Sequence, residues 1–249
     1  MAPSDPETSS PESGYPSNGA DQDPDGLRAA DGRVPGRRGM ATRERLLEHT
    51  SRLLATTTYR DLKVVDIARD AGVSPATFYQ YFPDAESAVL ALADRLIGEG
   101  GERLTRPFRT ATWEGRSAYE TCEDLAAAFL DFWAEHSSLM AVIDLAALEG
   151  DQRFRDSRTH LLSKFTLLAE QVISDQQQLG FAPVDLNPMA TAVVLVSMLA
   201  HVAAHQYGIG GAGVRTVDLR VAMARQIYTG VTGRIPPAPS SGQAAHPTE

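Results

Sequence analysis

The sequence predicts an all-α protein of about nine helices, arranged as a small N-terminal group of four and a larger bundle of five. Apolar residues recur at helical spacing through the middle of the chain, and no segment shows the alternation that a half-buried strand requires. Residues that begin and end helices punctuate this pattern, among them Ser-Pro and Asn-Pro pairs and isolated glycines. The chain is therefore expected to consist of helices joined by short connections.

The small N-terminal group is expected to contain four helices. Leucines at helical spacing predict the first over about 42–56, and the second is short and ends at Gly72. Ser74 is a good N-cap and Pro75 suits the first helical position, so the third helix begins there. Asp84 caps the fourth, which is expected to end at the glycines of the segment GEGGER.

Five helices are predicted after these glycines. The first opens at a capping box formed by Ser117 and Glu120, and the fourth opens at the Asn187-Pro188 pair. Apolar periodicity and helix-ending glycines set the other boundaries. The five expected helices are one from Ser117, then about 138–149, 151–179, 187–205 and 216–232, the last capped by Thr216.

Both ends of the chain differ in composition from its middle. Residues 1–39 are acidic and then arginine-rich, with much Ser, Pro and Gly, and residues 235–249 are similarly poor in large apolar side chains. Such segments bury too little surface to offset the entropy of ordering, so we expect both to be disordered. Met40 is an alternative start, because the preceding tail adds no core. Two folded domains remain, over 40–97 and 98–234.

Composition limits the class of protein. The 249 residues are 43% apolar and 22% charged, which suits one or two globular domains. No uninterrupted apolar run reaches the roughly 18 residues of a membrane span, and the N-terminus lacks the basic and then apolar pattern of a secretory signal. Cys122 is the single cysteine, which excludes a disulfide framework, and it is expected in the core. We therefore expect a cytoplasmic protein without a membrane segment.

Charge is unevenly distributed along the chain. The net charge of −9 argues against nucleic acid as a partner. However, residues 1–26 carry six acids and no Lys or Arg, whereas residues 27–70 carry ten Lys and Arg against six acids. This local excess of positive charge beside the short helices is typical of a nucleic-acid-binding part in an otherwise acidic protein.

The segment AGVSPATFYQYF, residues 71–82, shows a helix-turn-helix pattern in which a Gly-Val turn joins two short helices. Phe78 and Phe82 are four residues apart and are expected on the inner face. The polar side chains then face the DNA major groove, where hydroxyls and an amide contact phosphates and base edges. The competing interpretation is a small helical subdomain with ordinary surface tyrosines. The groove-facing set is Ser74, Thr77, Tyr79, Gln80 and Tyr81.

The longer segment VVDIARDAGVSPATFYQYFPDAESAVLAL resembles the three-helix DNA-binding domain of TetR-type transcriptional regulators, and the resemblance covers about residues 42–97. It implies an all-helical homodimer, usually a repressor. The N-terminal domains would bind a palindromic double-stranded DNA operator, and the C-terminal domains would dimerise and bind a small effector. Two sets of residues take roles by this resemblance: phosphate and base contacts for Thr77, Tyr79 and Tyr81, and base reading for Pro75, Ala76 and Gln80.

Two positions depart from the pattern of the family. Ala85 stands where many members have a lysine that contacts phosphate, and Lys63 stands where many have a threonine that caps the second helix. The first change removes one expected phosphate contact, which Lys63 partly replaces. The arginine-rich arm GRVPGRRGMATRER includes Arg43, and it either follows the minor groove and phosphates or is a solvated arm without specific contacts.

The last two helices are the predicted dimer surface. A two-fold dimer on DNA must hold its recognition helices about 34–36 Å apart, and the apolar stretch MATAVVLVSMLAHVAAH needs cover on more than one face. The alternative is that the same residues form the core of one chain. The predicted interface residues are Val194, Met198, His201, His205, Val221, Ala224 and Ile227.

Large apolar side chains in the bundle predict the effector site. They favour an apolar ligand such as an acyl chain or a sterol-like or drug-like molecule, held between helices. Its binding would favour a dimer geometry that fits DNA poorly. Plain core packing gives the same spacing and is the competing interpretation. The predicted effector residues are Phe129, Phe132, Trp133, Met140 and Phe165.

The alternative function is a helical metal-dependent enzyme. His201 and His205 are four residues apart on one helix, a spacing that metal sites use. The segment is HVAAH, however, without the acid of the H-E-x-x-H pattern, and no phosphate loop or nucleophile motif accompanies it. We therefore predict no catalytic residue, metal or cofactor, and we favour histidines that are satisfied or lie at the interface.

Overall fold

The computed structural model describes residues 36–238, which contain nine α-helices, two short 3-10 helices and no β-strand. The predicted all-α fold is confirmed. Most of the predicted tails, residues 1–35 and 239–249, lies outside the described residues. The helices are α1 (Arg37–Leu54), α2 (Val64–Asp70), α3 (Pro75–Tyr79), α4 (Ala85–Thr105), α5 (Gly115–Glu135), α6 (Ser137–Glu149), α7 (Gln152–Gln178), α8 (Pro188–Gly211) and α9 (Thr216–Thr232).

Helices α1, α2 and α3 pack around a small core that α4 completes. Leu46, Ile67, Phe78 and Val89 come from the four helices in turn, and all four side chains are buried. Helix α1 begins at Arg37, ahead of the predicted start at 42, so the last part of the predicted arginine-rich arm is helical. The first domain therefore has a longer first helix than the sequence indicated.

Helix α4 connects the two parts of the molecule, because it contacts α1 as well as α5 and α7. The predicted end of this helix at the glycines is wrong, since α4 continues to Thr105. A Cβ atom added at Gly100 would lie 2.4 Å from Leu161 Cδ1 and 2.7 Å from Phe132 Cζ. The glycine is thus required for close packing of helices and does not mark a break.

Helices α5 to α9 form the larger bundle, in which α5 packs against α8 and α9, and α7 packs against α4, α6, α8 and α9. The predicted capping box is wrong, because α5 begins at Gly115 and Ser117 lies inside its first turn. The predicted caps are confirmed at Asp84 and Asn187, whose side chains accept hydrogen bonds from backbone N–H groups at 2.7 and 2.9 Å. The predicted cap at Thr216 is wrong, because Thr216 is the first residue of α9 and Arg215 precedes it without a side-chain cap. Cys122 is buried as expected, and burial raises the pKa of its thiol.

Helix α8 is the most apolar long helix of the bundle. Its length and composition would allow it to cross a membrane, with a mean hydropathy of 1.5 in an 18-residue window, so the expectation from uninterrupted runs missed it. One such helix is weak evidence for a membrane span, because core helices pass the same test. Only 33% of that window is buried within the chain, which leaves much apolar surface uncovered.

Candidate nucleic-acid interface and effector core

The turn between α2 and α3 has the geometry of a helix-ending glycine motif. Gly72 has φ +66°, a left-handed conformation that side chains disfavour, and the N–H of Val73 donates to the carbonyl of Ala68 at 2.9 Å. This bond satisfies one of the last carbonyls of α2 and turns the chain toward α3. The sequence signal Gly-Val therefore sets the angle between the two short helices.

Ser74 begins α3 as predicted. Its Oγ accepts a hydrogen bond from the Thr77 N–H at 3.1 Å, and the hydroxyls of Ser74 and Thr77 lie 3.0 Å apart. Pro75 occupies the first turn, where its missing N–H costs nothing. The helix is thus fixed at its start by its own side chains, while both hydroxyls stay close to the surface.

The two faces of α3 differ as predicted. Phe78 is fully buried and packs against Phe82, with ring centroids 5.6 Å apart. Tyr79 is 52% exposed, and Pro75 and Gln80 are exposed as well. The aromatic pair therefore holds the helix to the domain while the polar side presents side chains to solvent.

Not every predicted DNA contact is equally accessible. Ala76 is exposed, but Thr77 and Tyr81 are half-buried, and the Tyr81 ring packs partly against the core. Arg43 is only 9% exposed, with its guanidinium carbon 5.1 Å from the centroid of the Phe82 ring. The structure thus places Arg43 inside the domain, where it covers the aromatic anchor, and we remove it from the proposed contacts.

Several cations of the first domain have no acidic partner within residues 36–238. Lys63 precedes α2 without capping it, is exposed and makes no ion pair there, and the same holds for Arg45 on α1. By contrast, Arg69 pairs with Asp66 at 2.6 Å. Arg45 is a candidate contact that the sequence interpretation missed, because periodicity does not show which arginines are neutralised.

Asp70 ties the end of α2 to α1. Its Oδ2 lies 2.6 Å from Nδ1 of His49. This hydrogen bond lowers the pKa of Asp70, and Arg52 and Arg69 add to the effect. The pairing orients the two helices from which the recognition helix is positioned.

The predicted effector residues come together in the bundle, where all of them are buried. Phe129 stacks on Trp133 with centroids 5.5 Å apart and meets Phe165 edge-on at 4.8 Å. Phe108, in the 3-10 helix after α4, adds a further edge contact to Phe165 at 5.0 Å, and the sequence interpretation missed it. The set forms the aromatic core of the bundle in this structure.

The indole of Trp133 leaves one polar atom unsatisfied. Its Nε1 is buried and has no hydrogen-bond partner among residues 36–238. A buried donor without an acceptor costs about 1–3 kcal/mol, so such groups are rare and call for an explanation. The aromatic core therefore contains a donor suited to a ligand acceptor.

A separate polar cleft of about 510 Å³ lies at the C-terminal end of α4. Its charges are largely paired: Arg109 bonds to Glu102, and Arg103 bonds to Glu135. The cleft is distinct from the predicted apolar site. Its lining residues are Gly98, Glu99, Glu102, Arg103, Arg106 and Arg109.

The predicted dimer residues divide into two groups. Ala224 and Ile227 are fully buried within the chain, so their prediction as interface residues is wrong: α9 turns that side inward against α5 and α8. Val194 is 70% exposed, and the others of the set are also exposed on α8 and α9. The exposed group is Val194, Met198, His201, His205 and Val221.

A junction joins the first domain to the end of α6 and the first turn of α7. Tyr59 meets Phe154 edge-on at 6.3 Å, and burial raises the pKa of Tyr59. Two exposed ion pairs flank this contact. They are Arg60 with Glu149 and Glu86 with Arg153.

The geometry defines a class of protein: a helix-turn-helix domain with an exposed polar recognition helix, attached to a helical bundle with an aromatic core. Residues 46–92 match the family described as "Bacterial regulatory proteins, tetR family". Residues 85–238 match that described as "Tetracyclin repressor-like, C-terminal domain". The chain belongs to the TetR family of transcriptional regulators, which confirms the resemblance and sets aside the enzyme alternative.

Known proteins agree with this assignment. The chain is 27% identical over 170 residues to the HTH-type transcriptional regulator EthR of Mycolicibacterium smegmatis, covering 66% of this chain and 76% of the relative. Its fold is similar to that of the fatty acid degradation regulator FadR of Bacillus halodurans, with a TM-score of 0.61 and 16% sequence identity. The match covers 80% of this chain and 98% of FadR. FadR of Bacillus subtilis, solved in complex with stearoyl-CoA, matches with a TM-score of 0.60 and 17% sequence identity. This match covers 76% of this chain and 98% of that regulator.

Proposed function

We propose that this transcriptional regulator is a cytoplasmic repressor that binds a palindromic operator as a homodimer and leaves it when a small apolar effector binds. The observation that carries the DNA-binding part is the division of α3, with Phe78 buried and Tyr79 half exposed beside it. A helix that enters a major groove must be packed against its own domain on one face and present polar side chains on the other.

The proposed operator contacts fall into two kinds. Tyr79 and Gln80, with Pro75 and Ala76, lie on the exposed side of α3 and are suited to base edges. Hydroxyls and cations at the margins are suited to phosphates, which position the domain without reading sequence. The phosphate group is Lys63, Ser74, Thr77 and Tyr81, with Arg45 as an addition.

The homodimer is supported by the uncovered side of α8 and α9. Val194, Met198 and Val221 expose apolar surface there, and exposed apolar patches of this kind mark protein interfaces. A two-fold pairing of this face presents two recognition helices to one side of the DNA, as a palindromic site requires.

The effector is proposed to enter the aromatic core around Phe129, Trp133 and Phe165, with Phe132 against Trp133 and Met140 also buried in the bundle. The unsatisfied Nε1 of Trp133 predicts that the ligand carries a hydrogen-bond acceptor within an apolar body. An acyl chain with its carbonyl fits that description, and a regulator of similar fold was solved with stearoyl-CoA. Binding shifts the dimer toward a geometry that fits DNA less well.

The test is a gel-shift titration of the full chain with DNA from beside its own gene, at moderate salt. We expect sequence-specific binding that Tyr79→Ala weakens by about 5- to 150-fold, since a base-edge contact contributes about 1–3 kcal/mol. Tyr79→Phe keeps the ring and serves as the conservative variant. Sedimentation of the same samples should give dimers throughout.

Absence of sequence-specific binding would contradict the regulator proposal at this DNA. Normal operator binding by Tyr79→Ala would contradict the assignment of α3 as the reading helix. Monomers that bind the operator with full affinity would contradict the homodimer.

A further inference from the structure

The exposed side of α8 carries a regular stripe with two histidines at its centre. Positions 194, 198, 201, 205 and 208 alternate in steps of four and three residues, which keeps them on one helix face. Val194, Met198, His201 and His205 on this stripe are all exposed. Helix α8 contains no Asp, Glu, Lys or Arg, so no charged side chain of its own lies among them.

The two imidazoles are already arranged as a pair. Their rings stack with centroids 4.2 Å apart and an interplanar angle of 29°. Nδ1 of His205 lies 2.9 Å from the backbone oxygen of His201. Because a carbonyl oxygen only accepts, Nδ1 carries the proton, and in the neutral ring Nε2 keeps a free lone pair.

This hydrogen bond is the kind that orients metal-binding histidines. Metal-ligating imidazoles commonly donate their other N–H to a backbone carbonyl, which fixes both the tautomer and the ring. A tetrahedral zinc ion at about 2.0–2.1 Å from each nitrogen needs the two nitrogens roughly 3.3 Å apart. The two rings, with centroids 4.2 Å apart, must rotate about their side-chain torsions to direct both nitrogens at one ion.

One chain supplies only half of such a site. Within residues 36–238, no three potential metal ligands of one chain come together. The proposed homodimer supplies the other half, because His201 and His205 lie within the stripe that it pairs. A two-fold axis that passes between these two positions sets each His201 opposite the second copy's His205 and brings four imidazoles together.

We infer that the dimer interface contains a binding site for one borderline divalent metal ion such as Zn²⁺, held by His201 and His205 of both subunits. This inference rests on the proposed homodimer. Imidazole is a preferred ligand of this class of ions, and four nitrogens complete a tetrahedral site. An ion bound only by the dimer stabilises the dimer by mass action.

The experiment uses the full chain, purified without a histidine tag and treated with EDTA. Zn²⁺ is then titrated by calorimetry, and stoichiometry is read by native mass spectrometry. We expect one Zn²⁺ per dimer and a dimer dissociation constant lowered by about tenfold, measured by sedimentation. The double variant His201→Gln, His205→Gln should lose both effects.

The matched control is His160→Gln, an exposed histidine on α7, which should leave zinc binding unchanged. No zinc binding, one ion per monomer, or unchanged binding in the double variant would overturn the inference. Gel shifts on the same samples separate it from the proposed function. Specific DNA binding by a dimer that takes up no Zn²⁺ in the titration overturns only the metal site, whereas one zinc per dimer without specific DNA binding overturns only the operator proposal.

Discussion

The two parts of the molecule place their functional groups differently. In the first domain the apolar side chains hold α3 from inside, and the polar side chains proposed to contact DNA lie outside. In the bundle the side chains proposed to meet the effector are themselves the core, as Trp133 and Phe165 are buried. Changes to the first domain can therefore separate stability from binding, whereas changes to the bundle core affect both.

The largest effect is expected for Phe78→Ala. Removing a fully buried phenylalanine costs about 3–5 kcal/mol, which is a large share of the stability of a small domain. We expect α1 to α3 to lose protection in amide hydrogen exchange and operator binding to disappear, while α5 to α9 stay protected. Tyr79→Ala is the neighbouring control: it should weaken operator binding while costing little stability, since its side chain is half exposed. Equal amide protection of α1 to α3 in the two variants would contradict the separation of stability from DNA binding in the first domain.

Trp133→Phe tests whether a core residue of the bundle also binds the effector. The variant removes the unsatisfied N–H, so the destabilisation from lost volume is partly offset by relief of a buried unpaired donor, worth about 1–3 kcal/mol. We expect affinity for an acyl effector to fall by about tenfold, measured by calorimetry, with the melting temperature little changed. Phe129→Leu is the control, because it removes ring packing without touching a polar atom. Greater loss of effector affinity in the control than in Trp133→Phe would contradict a hydrogen bond to the ligand.

The sequence reveals the first domain far better than the bundle, for a physical reason. A surface site needs unusual residues at set positions, and Ser74, Gly72 and Tyr79 stand out because a cap, a left-handed turn and an exposed aromatic are each recognisable. Apolar periodicity, by contrast, shows that a helix has an apolar face but not what covers it. Apolar periodicity therefore predicts Ala224 and Ile227 at the interface, although both side chains belong to the core of the chain.

Arg43 and Gly100 show the same limit at single positions. An arginine in a basic segment indicates phosphate contact, but whether its guanidinium instead packs on a ring depends on tertiary structure, as it does over Phe82. A glycine cluster indicates a helix end, but Gly100 is needed because Phe132 and Leu161 come close to α4. Both positions look the same in sequence whichever role they have.

Gly100→Ala tests the packing of α4, the helix that contacts both parts of the molecule. The added methyl would overlap buried side chains and cost about 1–3 kcal/mol, less the roughly 1 kcal/mol that Ala gains over Gly in a helix. We expect a net loss of about 1 kcal/mol in urea unfolding. Gly98→Ala is the matched control in the same helix, where an added Cβ would meet no atom within 4 Å apart from its chain neighbours and the backbone of its own helix. It should stabilise by up to about 1 kcal/mol. Stabilisation by both variants would show that the packing at Gly100 is loose.

The smallest change in stability is expected at the junction, where the two parts meet. The pair Arg60 and Glu149 is exposed, and exposed ion pairs contribute about 0–1 kcal/mol, so Arg60→Gln should barely move the unfolding midpoint. This ion pair lies, however, beside the contact of Tyr59 with Phe154, through which the start of α7 touches the first domain. We therefore expect the effector to weaken operator binding less in this variant, by about 0.5–2 kcal/mol of coupling, in gel shifts with and without effector.

The control for the junction is Arg116→Gln, which breaks the exposed pair with Glu120 inside α5 and away from the first domain. It should change neither stability nor coupling. If both variants leave coupling intact, coupling does not depend on the pair of Arg60 and Glu149, and the contacts of α4 with both parts are the next to test. If only Arg60→Gln reduces coupling, a contact that contributes little to stability couples the proposed operator surface to the proposed effector core. Such a contact must differ between the two geometries of the proposed dimer.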